Sequence, residues 1–308
     1  MSKNKILELC ENYLSEAVTE KSVTDPDNPS EERREIRVNF SPAQQFSLLE
    51  NGVKFEELDH SELKSALLGL SKMLLLPSSI TIKTKDHNYL WAWCAHIILA
   101  PSQTPAFFTD DEYDLKQLLE TCVFAALSSM TRQVTNPEEH YNRYEHITFN
   151  QRMFLENKSN ALAYLVFPLL EGVCKKLCSE YVAMDGKVVN EFSGVSNGRP
   201  YNLGRICSSL GDLLFLTSRE FPCEELDKIM EQIHTFDGSK SAFKTIYGWR
   251  NQSLHGERKF NNVTALLLNL VFLLIINSIE EDFENIKSDA LLSVGMKDCK
   301  WYFYPPQL

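Results

Sequence analysis

Residues 260–286 form the most apolar segment of the chain, and they constrain the fold more than any other feature. Their apolar run, residues 263–279, is slightly shorter than the roughly 20 residues that a helix needs to span a membrane. It also contains Thr264, Asn269 and Asn277, which are unfavourable against lipid. We therefore predict a central buried helix or a dimer face, and no membrane insertion.

Helical spacing of apolar residues recurs along most of the remaining chain. Short extended segments are predicted at 35–40 and 80–85, with a small hairpin through 187–192, so the expected fold class is all-α, mainly helical. A polar stretch, residues 20–34, has few residues to bury and predicts a surface linker. We place a domain boundary near residue 145, which gives an N-terminal, mostly helical region (1–145) and a C-terminal helical bundle (146–308).

The ends of individual helices are predicted from capping residues and from prolines. Ser61 is the candidate N-cap of a helix that ends before Pro77, and the helix over 149–182 is expected to break or bend near Pro168. Within the predicted helix 87–99, His96 is expected to be a hydrogen-bonded core residue.

The composition narrows the classes of function. A hydrophobic content of 44% and a charged content of 24% are typical of a soluble globular protein. The net charge of −11 argues against a protein that coats nucleic acid without specificity, although it permits a small local basic site. Eight cysteines occur without a CxxC pair, and residues 1–20 do not have the pattern of a signal peptide. Reduced thiols in a cytoplasm fit this pattern best.

Metal and cofactor sites are not indicated. His140 and His146 are six residues apart, whereas ligands on one helix face favour separations of three or four. No phosphate-cradling glycine motif is present in the sequence. We expect no metal and no cofactor.

Residues 238–256 predict an amphipathic helix with an unusual cation. At 100° per residue, Phe243, Ile246, Tyr247 and Leu254 fall within an arc of about 100°, which predicts a core stripe. Arg250 falls in the middle of that arc. A guanidinium in that position must be paired, reach an interface or take part in function, because its desolvation is otherwise costly.

The end of this helix carries a second group of polar residues. Asn251 and His255 lie one turn apart, and His255 precedes Gly256, the residue type that commonly closes a helix. The pattern is an arginine, Arg250, followed directly by Asn251, with four residues between the arginine and His255. This pattern resembles the signature of the HEPN superfamily. The resemblance covers about residues 149–289.

HEPN domains are small helical bundles, and many are metal-independent ribonucleases. The resemblance implies an endoribonuclease in which a 2′-hydroxyl attacks the adjacent phosphate and leaves a 2′,3′-cyclic phosphate. His255 would transfer protons, Arg250 would stabilise the phosphorane, and Asn251 would orient the imidazole or bind phosphate. Such domains usually dimerise so that two motifs face one cleft. We therefore expect a homodimer, with the exposed part of 260–286 or the aromatic tail, 300–308, as its interface.

The alternative is a catalytically silent HEPN-like module for dimerisation, nucleotide binding or protein scaffolding. In that case Arg250 would pair with a buried acid such as Glu171, and His255 would cap the helix. For the enzyme, the expected partners are single-stranded or structured RNA and an antitoxin or regulatory protein, in a toxin or antiviral defence role. A cytoplasmic location is expected for both.

Overall fold

A computed structural model describes residues 2–24, 32–38, 48–75, 84–99, 107–128, 149–195, 198, 200–237, 241–255 and 261–295. The prediction of a mainly helical fold is confirmed. The α-helices are α1 Lys3–Ala17, α2 His60–Leu74, α3 Lys85–Leu99, α4 Tyr113–Ser128, α5 Phe149–Leu177, α6 Leu210–Glu220, α7 Glu224–Asp237, α8 Ala242–Leu254, α9 Asn261–Ser278 and α10 Phe283–Gly295. The strands are β1 Val18–Thr24, β2 Glu32–Val38, β3 Phe192–Ser193 and β4 Pro200–Tyr201. Single 3-10 turns occupy Phe55–Glu57, Asp110–Glu112 and Glu280–Asp282.

Helix α9 is the centre of the fold, as the apolar segment predicts. Every residue from Thr264 to Ile276 is buried, and the helix packs against α2, α3 and α5. A helix that is apolar on all sides can bury its whole surface only when other helices surround it. This burial removes Thr264–Ile276 from the candidate dimer face, whereas residues 280–282, 284 and 285 are exposed, so an interface on the exposed part of 260–286 stays a prediction. The aromatic tail, 300–308, lies outside the described residues.

Polar side chains in this core are paired across helices. The amide oxygen of Asn269 accepts a hydrogen bond from the Trp91 indole, and its amide nitrogen donates to the Ser71 hydroxyl at 3.1 Å. Asn269 therefore joins α9 to α2 and α3 while keeping its buried polar atoms satisfied. His96 is buried, and its Nε2 lies 3.0 Å from the carbonyl oxygen of Ala290, which agrees with its predicted core role.

The linker prediction for residues 20–34 is wrong at 20–24 and 32–34, which belong to strands, and the extended segment predicted at 35–40 is confirmed at 35–38. Strands β1 and β2 form an antiparallel pair in which Val18 lies opposite Val38 and Lys21 lies opposite Glu35. The β-branched residues, which favour strands, are Val18, Thr19, Val23 and Thr24 in β1, and Ile36 and Val38 in β2. Residues 25–31, between the strands, lie outside the described part of the chain.

Two details of the predicted helices also differ. The N-cap of α2 is Asp59, not Ser61, because Asp59 and Glu62 form a reciprocal capping box. Helix α5 continues through Pro168 without a break, while the alternative of a bend there stays a prediction. The predicted strand at 80–85 falls mostly outside the described residues, and Lys85 begins α3. His140 and His146 also lie outside them.

The buried residues form one hydrophobic cluster that runs from Ile6 to Ala290. Helix α5 contributes to it by packing on both α4 and α9, so the described packing joins the two halves of the chain. The boundary near residue 145 falls outside the described residues, and the division there stays a prediction. No single described helix is long and apolar enough to cross a membrane; Val263–Ser278 and Glu280–Ser293 meet that test only together, across a bend of 70°.

Candidate active site

Helix α8 carries the three predicted site residues at its C-terminal end. It begins after Ser241, whose carbonyl oxygen accepts the backbone N–H groups of Lys244 and Thr245. It ends at Leu254, and His255 is the C-cap, with its backbone N–H donating to the Asn251 carbonyl oxygen at 3.1 Å. The prediction that the motif closes a helix is confirmed. Gly256, Arg258 and Lys259 lie outside the described residues.

The buried face of α8 is not the predicted one. Tyr247 and Leu254 are 37% and 54% exposed, so the predicted apolar stripe is wrong in these two members. The face that packs inward combines small residues with the partly buried rings of Phe243 and Trp249, and Ser253 donates a hydrogen bond to the Ala163 carbonyl oxygen of α5 at 3.2 Å. The buried residues are Ala242, Thr245, Ile246 and Ser253.

Because the buried side of α8 differs from the predicted one, Arg250 lies at the edge of the packed face. Its side chain is 25% exposed, and Nη2 donates to Glu171 Oε2 of α5 at 3.3 Å. The pair that the sequence left open therefore exists. Because Arg250 is only partly buried, its guanidinium can still reach a ligand from the solvent side while Glu171 limits its rotation.

Glu171 also holds a second cation. Its Oε1 lies 2.9 Å from the ammonium of Lys175, one turn further along α5, and the Glu171 side chain is 16% exposed. The Lys175 ammonium in turn donates to the Met184 carbonyl oxygen at 3.3 Å. One carboxylate thus bridges two cations, which leaves this group with a formal charge of +1.

Lys175 was missed by the sequence reasoning. The Glu171–Lys175 spacing of four residues, which favours ion pairs on a helix, was the available signal. What the spacing alone could not supply is the approach of α8, which brings Arg250 to the same carboxylate.

His255 is exposed to solvent, and Asn251 is half-buried. Within the described residues, the side chains of Arg250, Asn251 and His255 form no hydrogen bond with one another. Five residues along an ideal helix separate the directions of Arg250 and His255 by about 140°. The structure brings Arg250 to Glu171, the partner of Lys175, and the helical spacing directs His255 away from that group.

In the described part of the chain, no group of three or more His, Cys, Asp and Glu residues is arranged to hold a metal ion. The seven described cysteines are buried and free, and burial raises the pKa of thiols such as Cys223, to about 11. These thiols are core residues rather than nucleophiles.

Comparison with protein-family models, curated proteins and solved structures finds no match to this chain. The resemblance to the HEPN superfamily therefore stays a prediction carried by Arg250, Asn251 and His255.

Proposed function

We propose that this protein is a metal-independent endoribonuclease whose active groups lie at the C-terminal end of α8. The observation that supports this most is the state of Arg250: it is partly exposed, and Glu171 holds it in place beside a second cation, Lys175. A fixed guanidinium with residual positive charge is suited to a crowded phosphorane. His255 is exposed five residues further on, where RNA can reach it.

The proposed reaction breaks one phosphodiester bond. The imidazole of His255 accepts the proton of the ribose 2′-hydroxyl, whose oxygen attacks the adjacent phosphorus. The P–O5′ bond breaks, the 5′-oxygen takes a proton from the imidazolium of a second histidine, and the products are a 2′,3′-cyclic phosphate and a 5′-hydroxyl. Histidine suits both proton transfers because its unperturbed pKa lies near neutrality.

A homodimer is part of the proposal. The angle of about 140° between Arg250 and His255 makes it difficult for one chain to place both groups on one phosphate. A two-fold axis near the end of α8 would let the arginine of one copy act with the histidine of its partner, and would supply a second imidazole. We further propose a cytoplasmic location and a toxin or defence role controlled by an antitoxin-like partner.

A second candidate is the silent module, and the ion pair with Glu171 favours it. In that case the ion pair between Arg250 and the Glu171 carboxylate only helps to hold α8 against α5, and Arg250 has no catalytic role. The two candidates differ in what removal of Glu171 does, because only the enzyme needs the guanidinium in a defined place.

The test is RNA cleavage by the purified protein in EDTA, with mass spectrometry of the new ends. His255→Ala and Arg250→Ala are each expected to lower the rate by about 100-fold or more. His234→Ala and Arg219→Ala are matched controls, since both residues lie on the surface near the ends of other helices. Cyclic phosphate ends that disappear only in the first two variants support the enzyme. No cleavage by the wild type across varied RNAs supports the silent module.

A further inference from the structure

A cavity of about 190 Å³ lies beside α8, between that helix, the start of α6 and the segment that carries β3 and β4. The proposed catalytic residues do not line it. Its walls include Val195, Tyr201, Ile206, Ser209, Phe243 and Tyr247.

The cavity exists because α6 and α8 approach each other at backbone distance. A Cβ atom on Gly211 of α6 would lie 2.6 Å from the Phe243 carbonyl oxygen of α8. Only glycine permits this contact without a shift, and the contact brings Phe243 and Tyr247 over the first turn of α6. The ring of Phe243 is held from behind by Phe215, with ring centroids 5.6 Å apart in an edge-to-face arrangement.

The opposite wall is fixed by Asp212. Its carboxylate is buried and accepts the Val195 backbone N–H at 2.7 Å and the Tyr201 hydroxyl at 2.8 Å. Burial, together with the bond to this carboxylate, raises the pKa of Tyr201, so the phenol stays protonated and keeps donating. Because both oxygens of Asp212 are engaged, the carboxylate shapes the wall and is not exposed at the mouth.

The accessible groups of the cavity combine an aromatic ring, hydroxyls and a cation. Tyr247 is partly exposed, the Ser208 hydroxyl lines the cavity, and the Ser209 hydroxyl, which accepts the Asp212 backbone N–H at 3.3 Å as the N-cap of α6, keeps its own hydrogen to donate. Lys244 is exposed, and among the described residues no carboxylate forms an ion pair with it. A ring for stacking, polar atoms for base edges and a free ammonium for phosphate are the groups that single-stranded nucleic acid requires.

The exposed line of α8 connects this cavity with the proposed active site. Lys244, Gly248, Asn251 and His255 follow at spacings of four, three and four residues, so they lie on one side of the helix. A Cβ atom on Gly248 would meet nothing within 4 Å, which leaves an open surface at the middle of this line. From Tyr247 to His255 the helix rises about 12 Å.

We propose that the cavity binds one base of a single-stranded RNA, with Tyr247 as the stacking platform and Lys244 on a flanking phosphate. This inference rests on the proposed ribonuclease function and specifies its substrate class. Stacked nucleotides are about 3.4 Å apart and extended ones roughly twice as far, so the bound base is on the order of two to four nucleotides from the cleaved bond.

The test measures binding separately from cleavage. Fluorescence anisotropy with labelled single-stranded RNA octamers is carried out in the His255→Ala background, which is not expected to cut them. Tyr247→Ala is expected to weaken binding roughly 10- to 100-fold, whereas Tyr247→Phe, which keeps the ring, stays within about threefold of the parent. Lys244→Ala is expected to lower the salt dependence of log K by about 0.7, the contribution of one phosphate contact.

Tyr113→Ala and Lys54→Ala are matched controls because both residues are exposed and lie elsewhere on the chain. An octamer series in which one base at a time is removed adds a positional readout. Binding should depend strongly on a single base, at a fixed distance from the bond that the wild type cuts.

The two proposals fail in different ways. If the wild type cuts no RNA but octamers bind with dependence on Tyr247, the base site stands and the ribonuclease proposal fails. Cleavage by the wild type, together with normal octamer binding by Tyr247→Ala and Lys244→Ala, overturns the base site. Binding of free AMP or UMP but not of octamers also overturns it, because it assigns the cavity to a small nucleotide, and so does a lack of any binding.

Discussion

Two glycines in helices provide the most direct check on the packing of α8, because the same substitution should have opposite effects at the two positions. Gly248 lies in the middle of α8, where an added Cβ meets nothing within 4 Å. Gly211 lies in the first turn of α6, where the Cβ would lie 2.6 Å from the Phe243 carbonyl oxygen. That oxygen is backbone, so it cannot move aside without moving α8.

The magnitudes follow from helix propensity and from overpacking. Alanine is favoured over glycine inside a helix by about 0.8–1.0 kcal/mol, so Gly248→Ala should raise the free energy of unfolding by nearly that amount. Gly211→Ala gains less because it lies near a helix end, and it must separate α6 from α8 at a cost of about 1–3 kcal/mol. The two variants should therefore differ by about 2–4 kcal/mol.

Urea unfolding followed by far-ultraviolet circular dichroism measures both values, and equal m-values keep the comparison valid. A Gly211→Ala variant as stable as the wild type would refute the close backbone contact between α6 and α8. If Gly248→Ala brings no gain, the open environment assigned to Gly248 is wrong instead.

Three polar contacts elsewhere give measurable effects of their own. Asn269→Ala leaves the buried Trp91 indole without its acceptor and should lower the free energy of unfolding by about 2–4 kcal/mol; a loss under 1 kcal/mol in urea unfolding would contradict that role. Burial opposes ionisation of Glu225, but the hydrogen bond from Lys3 and nearby cations outweigh it and lower the pKa, so stability should be lost as the pH falls below about 4.5. In Glu225→Gln, the free energy of unfolding measured by urea unfolding should depend less on pH below about 4.5 than it does in the wild type. Glu171→Gln should cost about 1 kcal/mol of stability, since the site is partly exposed, yet lower RNA cleavage at least tenfold; unchanged cleavage would deny it a positioning role.

The helical fold was predictable because most of its helices are set by local apolar spacing and by one segment apolar on all sides. Helix α9 is the clearest case, since only complete burial satisfies such a segment. Only the second half of strand β2 was predicted, as the extended segment at 35–40, because the polar composition of 20–34 resembles a linker. The capping box of α2 was visible in the spacing of Asp59 and Glu62, and choosing Ser61 overlooked it.

The candidate site was predictable only in part. The pattern placed Arg250, Asn251 and His255 at a helix end, which is correct. The facing of α8 was not predictable from hydrophobicity, because close packing selects small residues such as Ser253 over larger apolar ones such as Leu254. The bridge from Glu171 to two cations, and the cavity beside Tyr247, depend on contacts between helices far apart in sequence.

The position of α9 in the chain has a consequence for biosynthesis. Every helix that forms its main packing surface, α2, α3 and α5, precedes it in the sequence. During translation these helices leave the ribosome before the segment that covers their apolar faces exists. Until α9 is synthesised, the apolar faces of α2, α3 and α5 that it covers are exposed. Completion of the core therefore becomes a late event of synthesis, and until then the exposed surface makes the nascent chain prone to aggregation.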